Sequence, residues 1–143
     1  MSEPRSNAGA AGSAAEEPEA MPIANPQLAA VLAWLVPGAG HVYLGRRARG
    51  AAYLLLVAAS LVIGCALRGR LWSPTPGEPL SMLATLGSMG MGAAYFVLRY
   101  AMGYSGDILS PGFEYGSAFV LTAGLMNLLL VLDAWDIARG KKE

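Results

Sequence analysis

Pro37-Gly38-Ala39-Gly40-His41-Val42-Tyr43-Leu44-Gly45-Arg46-Arg47-Ala48-Arg49-Gly50 separates two apolar runs, and its reading decides how often the chain can cross a bilayer. Proline and glycine at 37 and 38 break a helix, because proline lacks the N–H and clashes with the preceding turn. Gly40, Gly45 and Gly50 allow close backbone approach or positive φ. His41 and Tyr43 suit a half-wet interface. Arg46, Arg47 and Arg49 can reach phosphate groups at headgroup level.

On the N-terminal side, Asn25-Pro26 is a good helix start, with asparagine as cap and proline at the first position. From Pro26 to Val36 the helix reaches only about 16 Å at 1.5 Å per residue. A hydrocarbon core is about 30 Å thick. This first segment therefore crosses only if it continues through the kink to Leu44. On the C-terminal side, Ala51–Leu67, Leu80–Leu98 and Ser117–Leu132 carry no charge. Each is long enough to span, and the last continues through Asp133, Asp136 and Arg139 until Gly140. The expectation is an all-α integral membrane bundle. It has three transmembrane helices and a kinked first helix, in four segments of about 26–45, 50–67, 80–99 and 116–139. Residues 26–143 would form one membrane-embedded domain.

Composition agrees. The chain has 143 residues, 55% hydrophobic and 14% charged, against about 25% charged in soluble domains. Residues 1–25 are rich in Ala, Gly, Ser, Glu and Pro and read as a disordered tail. Glu3, Glu16, Glu17 and Glu19 outweigh Arg5 there, and Met21 is a candidate internal start. The remainder is mildly basic, which suits anionic lipid and is too weak for nucleic acid. Cys65 is the only cysteine and His41 the only histidine. They cannot build a four-ligand structural zinc site, and no cofactor or catalytic residue is expected. Aromatics fall at segment ends: Tyr43, Trp72, Tyr100, Tyr104, Tyr115 and Trp135, as in an interfacial belt.

Small residues recur on the third segment at Ala84, Ser88 and Gly92. In lipid such residues let helices meet closely. They point to packing within the bundle or to a homodimer seam. Asn127 lies among Leu and Met, where a polar group bonds another helix. Asp133 and Asp136 lie near the helix end, beside Arg139, Lys141 and Lys142. They read as an interfacial charge belt, or as a buried site in which Asp133 pairs with His41 or an arginine. A carboxylate beside His41 would stabilise its imidazolium and make a pH-sensitive latch.

Gly40, His41, Tyr43, Leu44, Gly45 and Gly50 resemble the hallmark turn of the two-transmembrane-helix domain. The Pro37-Gly38 prefix is similar to uncharacterised bacterial multi-pass membrane proteins with a Pro-Gly-x-Gly-His-x-Tyr-x-Gly motif. The run Thr122–Leu129, with Leu132–Ala138, also looks like the end of such a protein. The resemblance covers residues 26–67 and 117–142. It implies an integral membrane protein of unknown biochemical function in a bacterial cytoplasmic membrane.

Orientation poses a conflict. The densest basic clusters, Arg46/Arg47/Arg49 and Arg139/Lys141/Lys142, are separated by three apolar segments. They cannot share the cytoplasmic side if all three cross. Four crossings put Arg46, Arg47, Arg49 and Arg99 opposite the termini, and the termini are expected in the cytoplasm. The expected function is a non-enzymatic scaffold or interaction subunit. Its expected partners are the bilayer, anionic headgroups, a second copy or another membrane protein. The alternative is a small transporter or channel component using Asn127, Asp133 and Asp136.

Overall fold

The computed structural model describes residues 23–142. The acidic tail expected over residues 1–25 lies outside them except for its last three residues, as does Met21. Among the described residues the chain is all-helical, without strands. The helices are α1 (Pro26–Leu35), α2 (Ala39–Tyr43), α3 (Arg47–Ala66), α4 (Pro79–Met89), α5 (Ala93–Phe96) and α6 (Phe113–Ala138). A π turn, Val97–Ala101, extends α5.

Two helices are long and apolar enough to cross a membrane, α3 with 20 residues and α6 with 26. They measure about 30 and 39 Å at 1.5 Å per residue. They run antiparallel. Gly64 and Gly69 near the end of α3 abut Gly116 at the start of α6. At the opposite end, His41 touches both Tyr53 of α3 and Asp133 of α6.

α6 is the axis of the fold, packed by α1, α2, α3 and α4. Its contact face is small. Gly116, Ala123, Gly124, Ala134 and Ala138 are all buried. A Cβ on Gly124 would lie 2.0 Å from the Gly87 carbonyl oxygen, so α4 approaches by its backbone. The outward faces are apolar: Leu55 is 70% exposed and Leu129 65%. A water-soluble surface seldom carries such side chains contiguously.

α1 starts where Asn25 accepts hydrogen bonds from the Gln27 and Leu28 N–H groups. The Ile23 N–H donates to the Ala138 carbonyl, which fixes the start of α1 beside the end of α6. After 10 residues the helix stops at the Pro37-Gly38 turn. Gly38 takes φ +82°, and a Cβ there would meet the Gly50 carbonyl oxygen at 2.1 Å. The chain thus reverses into α2, whose Gly40 nests against Ala29, Ala33 and Ala134. α1 and α2 form a hairpin that enters and leaves at one end of the bundle.

The third apolar segment differs from the continuous helix expected over 80–98. It breaks at Gly90-Met91-Gly92, and its halves diverge by 113°. Gly92 has φ +64°, and a Cβ there would lie 1.7 Å from the Trp34 carbonyl oxygen. The tip of α1 occupies the space a straight continuation would need. After the break the chain heads back. The Tyr95 hydroxyl donates to the Trp72 carbonyl, and that of Tyr104 to the Gly69 carbonyl, both just past the end of α3. α4 and α5 are therefore a second hairpin, entering from the opposite end.

This geometry corrects the expected placement of charge. With both hairpins folded back, Arg46, Arg47 and Arg49 lie at the same end as Arg139, Lys141 and Lys142. Arg68 and Arg70, following α3, lie at the other. The four-crossing assignment had separated the arginines at 46–49 from the C-terminus. The bend at Gly90–Gly92 removes the reason for that separation.

Candidate functional site

Two polar centres lie on α6, about 9 Å apart along its axis by helical rise. The inner one is Asn127, fully buried. α1 and α4 each end here. The last carbonyls of a helix have no intrahelical donor, and both ends carry partial negative charge. Two side chains supply the missing donors. Nδ2 of Asn127 donates to the Trp34 carbonyl at 3.2 Å and the Gly90 carbonyl at 2.8 Å. Nε1 of Trp34 donates to the Met89 carbonyl at 3.2 Å. The Trp34 ring also meets Phe96 edge-on, at 6.3 Å between centroids. The side-chain N–H donors at this point are thus committed to main-chain carbonyls released by the two breaks, while the buried Oδ1 of Asn127 has no partner among the described residues.

The outer centre is His41. Its ring is fully buried, and Nε2 lies 3.0 Å from Oδ2 of Asp133. Tyr53 packs edge-on, 4.8 Å away. Oδ1 of Asp133 accepts from Lys142 at 3.0 Å. Gly140, with φ +71°, turns the C-terminal residues back so that Lys142 arrives there. That hydrogen bond and the carboxylate's charge hold the Lys142 ammonium above its ordinary lysine pKa. Of the two readings of the acidic pair, the structure brings Asp133 to His41. Asp136 stays half-buried and is not part of that contact.

The other candidates fall into place around these centres. Pro37 and Gly38 make the reversal, Gly40 the close contact with Ala134, and Gly50 the contact with Gly38. Gly45 has φ +82° in open space and serves the turn into α3. Tyr43, Arg47 and Arg49 are exposed and Arg46 half-buried at that end. Ser88 and Gly92 are buried inside the chain and Ala84 is half-buried. They form no continuous stripe, because the helix breaks between positions 88 and 92. The close approach of α4 itself to α6 is made by Gly87 against Gly124. Gly87 is not among the three small residues that the sequence singles out on this segment. Trp34 was not singled out at all, since its indole reads as one more apolar residue. Among the described residues no group of three or more His, Cys, Asp or Glu is gathered in a metal-binding arrangement.

The fold and its packing define an all-helical protein whose apolar helices are compatible with a membrane. The chain belongs to the family of unknown function DUF6677, whose profile matches residues 28–143. The match includes the α4–α5 hairpin as well as the turn around His41. No curated protein and no solved structure matches the chain.

Proposed function

We propose that this chain is a multi-pass protein of a bacterial cytoplasmic membrane that crosses the bilayer twice, through α3 and α6. The two hairpins enter from opposite faces and stop halfway. What carries this reading is that α1 and α4, joined through the Trp34 and Asn127 side chains, both end at the Gly90–Gly92 break. They add 10 and 11 residues, about 31 Å together, which matches a hydrocarbon core of about 30 Å. Irregular backbone at membrane depth is tolerated where protein buries it, and Gly90, Met91 and Gly92 are buried. Two crossings put both termini and both basic clusters on one side, which the excess of Lys and Arg assigns to the cytoplasm.

Within that topology the protein acts as a non-enzymatic scaffold or interaction subunit. Its buried polar side chains are used to hold the hairpins, and its basic end faces the cytoplasmic leaflet. Cysteine accessibility tests the topology. In a Cys65→Ala chain, an impermeant maleimide should label Gly77→Cys and Ile108→Cys on intact cells. Ala48→Cys and Lys141→Cys should react only after permeabilisation. Labelling of those last two from opposite sides would overturn the two-crossing reading.

One observation favours a transport role instead. Two helix C-termini converge at half depth, and broken helices of this kind direct carbonyls at cations in transporters. That reading predicts a sodium or proton flux in proteoliposomes that Asn127→Leu abolishes. Its absence in the parent chain supports the scaffold.

A further inference from the structure

We propose that the turn from α2 into α3 is a binding site for one anionic phospholipid, with its phosphate on Arg46 and Arg47 and its acyl chain along Val42 and Tyr43. The proposal rests on the membrane reading above but not on which side faces the cytoplasm.

An open depression of about 430 Å³ is lined by Gly45, Arg46, Arg47, Ala48 and Arg49. Every charged side chain in that lining is an arginine. Guanidinium groups bind phosphate oxygens in pairs, with more geometric selectivity than lysine. The turn that creates the depression is fixed from beneath. The Arg46 N–H donates to the His41 carbonyl at 2.8 Å, and the Gly45 N–H to the Val42 carbonyl at 3.0 Å. Gly45 bears no Cβ and faces open space at φ +82°, so the floor stays low.

The neighbouring surface is apolar. Val42 is 46% exposed and Tyr43 42%. Val42 also lies against the first turn of α3, since a Cβ on Gly50 would meet its Cγ2 at 2.6 Å. The apolar strip and the arginine depression are therefore contiguous. A free phosphate would use only the second. A lipid uses both, and α3 begins here at the depth where a headgroup sits. Arg139 and Lys141 share this end of the bundle and add to its positive potential, while Lys142 is paired with Asp133.

The test uses the full-length chain in mild detergent, with bound lipid read by native mass spectrometry. Phosphatidylglycerol, phosphatidylcholine and inorganic phosphate are added separately and in competition. Phosphatidylglycerol should be retained roughly thirtyfold more tightly than phosphatidylcholine, given two arginine contacts. The Arg46→Gln/Arg47→Gln variant should lose that preference while still binding phosphatidylcholine weakly. An equal change of charge at the other end, Arg70→Gln/Arg99→Gln, should keep it. Equal retention of the two lipids in the parent chain overturns the site. Displacement of phosphatidylglycerol by millimolar phosphate overturns the lipid assignment. Retention of neither lipid would fail the membrane reading itself, a separate outcome.

Discussion

Asn127 donates its side-chain N–H to the main-chain carbonyl of Trp34 at 3.2 Å, joining the tip of α1 to the middle of α6. The same nitrogen serves Gly90 at the break between α4 and α5. Asn127→Leu keeps the branched shape and the number of side-chain atoms other than hydrogen, and removes both donors. Each buried carbonyl left unpaired costs about 1–3 kcal/mol in water-soluble proteins, and average membrane hydrogen bonds measure about 0.6 kcal/mol. The variant should therefore lose about 1–3 kcal/mol, read as a lowered unfolding midpoint in detergent. An unchanged midpoint would show that the two carbonyls find other donors.

Gly124 and Gly45 separate steric need from conformational need. A methyl group on Gly124 would meet the Gly87 main chain at 2.0 Å, and backbone cannot swing aside as a side chain does. Gly124→Ala should force α4 away from α6 and cost several times more than Gly45→Ala. The latter meets only the strain of its positive φ, on the order of 1 kcal/mol. Paired melts of the two variants give the ratio, and equal losses contradict the close approach of α4.

His41 and Asp133 should be energetically coupled. A double-mutant cycle with His41→Leu and Asp133→Asn isolates their term from the packing of His41 on Tyr53. The expected coupling is about 1 kcal/mol. Additive losses would reduce the contact to proximity. Lys142→Gln should weaken the hold on Asp133 without exposing His41, so its effect should be the smallest of the three.

The loop opposite these residues carries its own pH dependence. The Leu109 N–H and then the Arg68 guanidinium hold the Asp107 carboxyl below its usual range. A group depressed in the fold contributes stability above its unfolded pKa of about 3.9 and loses it as pH falls through the lower folded value. Protection of the Leu109 and Asp107 amides, corrected for the intrinsic exchange rate, should fall below about pH 4 and stay flat from pH 5 to 8. Asp107→Asn should remove the dependence. Tyr104 behaves in the opposite sense: burial pushes its hydroxyl up to about 12. Its hydrogen bond to Gly69 should therefore survive until pH rises through that value.

Much of this arrangement was legible before any coordinates, and the exceptions have a common cause. Asn25-Pro26 announces a helix start through local chemistry alone, and Pro37-Gly38 announces a stop. Uncharged runs report apolar surroundings without reporting direction. Gly87, Gly90 and Gly92 are therefore ambiguous in sequence. The same glycines suit a helix packed closely and a chain that reverses. The approach of the Trp34 carbonyl to Gly92, which any Cβ would block, decides the matter, and it involves residues 58 positions apart in the numbering. The partnership of His41 with Asp133 could be named as one alternative because only one histidine was available. That Asn127 bonds another helix could be named too, but not its acceptors, which become free only once two helices have ended.

The position of α6 as the shared axis has a consequence for synthesis. It leaves the ribosome after α1, α2, α3 and α4, all of which rest on it. Neither hairpin can settle while its docking surface is still untranslated. The first must wait until α6 has followed it, with Pro37 already turned and nothing to turn against. Truncation before Gly124 should then leave one inserted helix and two orphaned hairpins, a substrate for quality-control proteolysis rather than a smaller version of the fold.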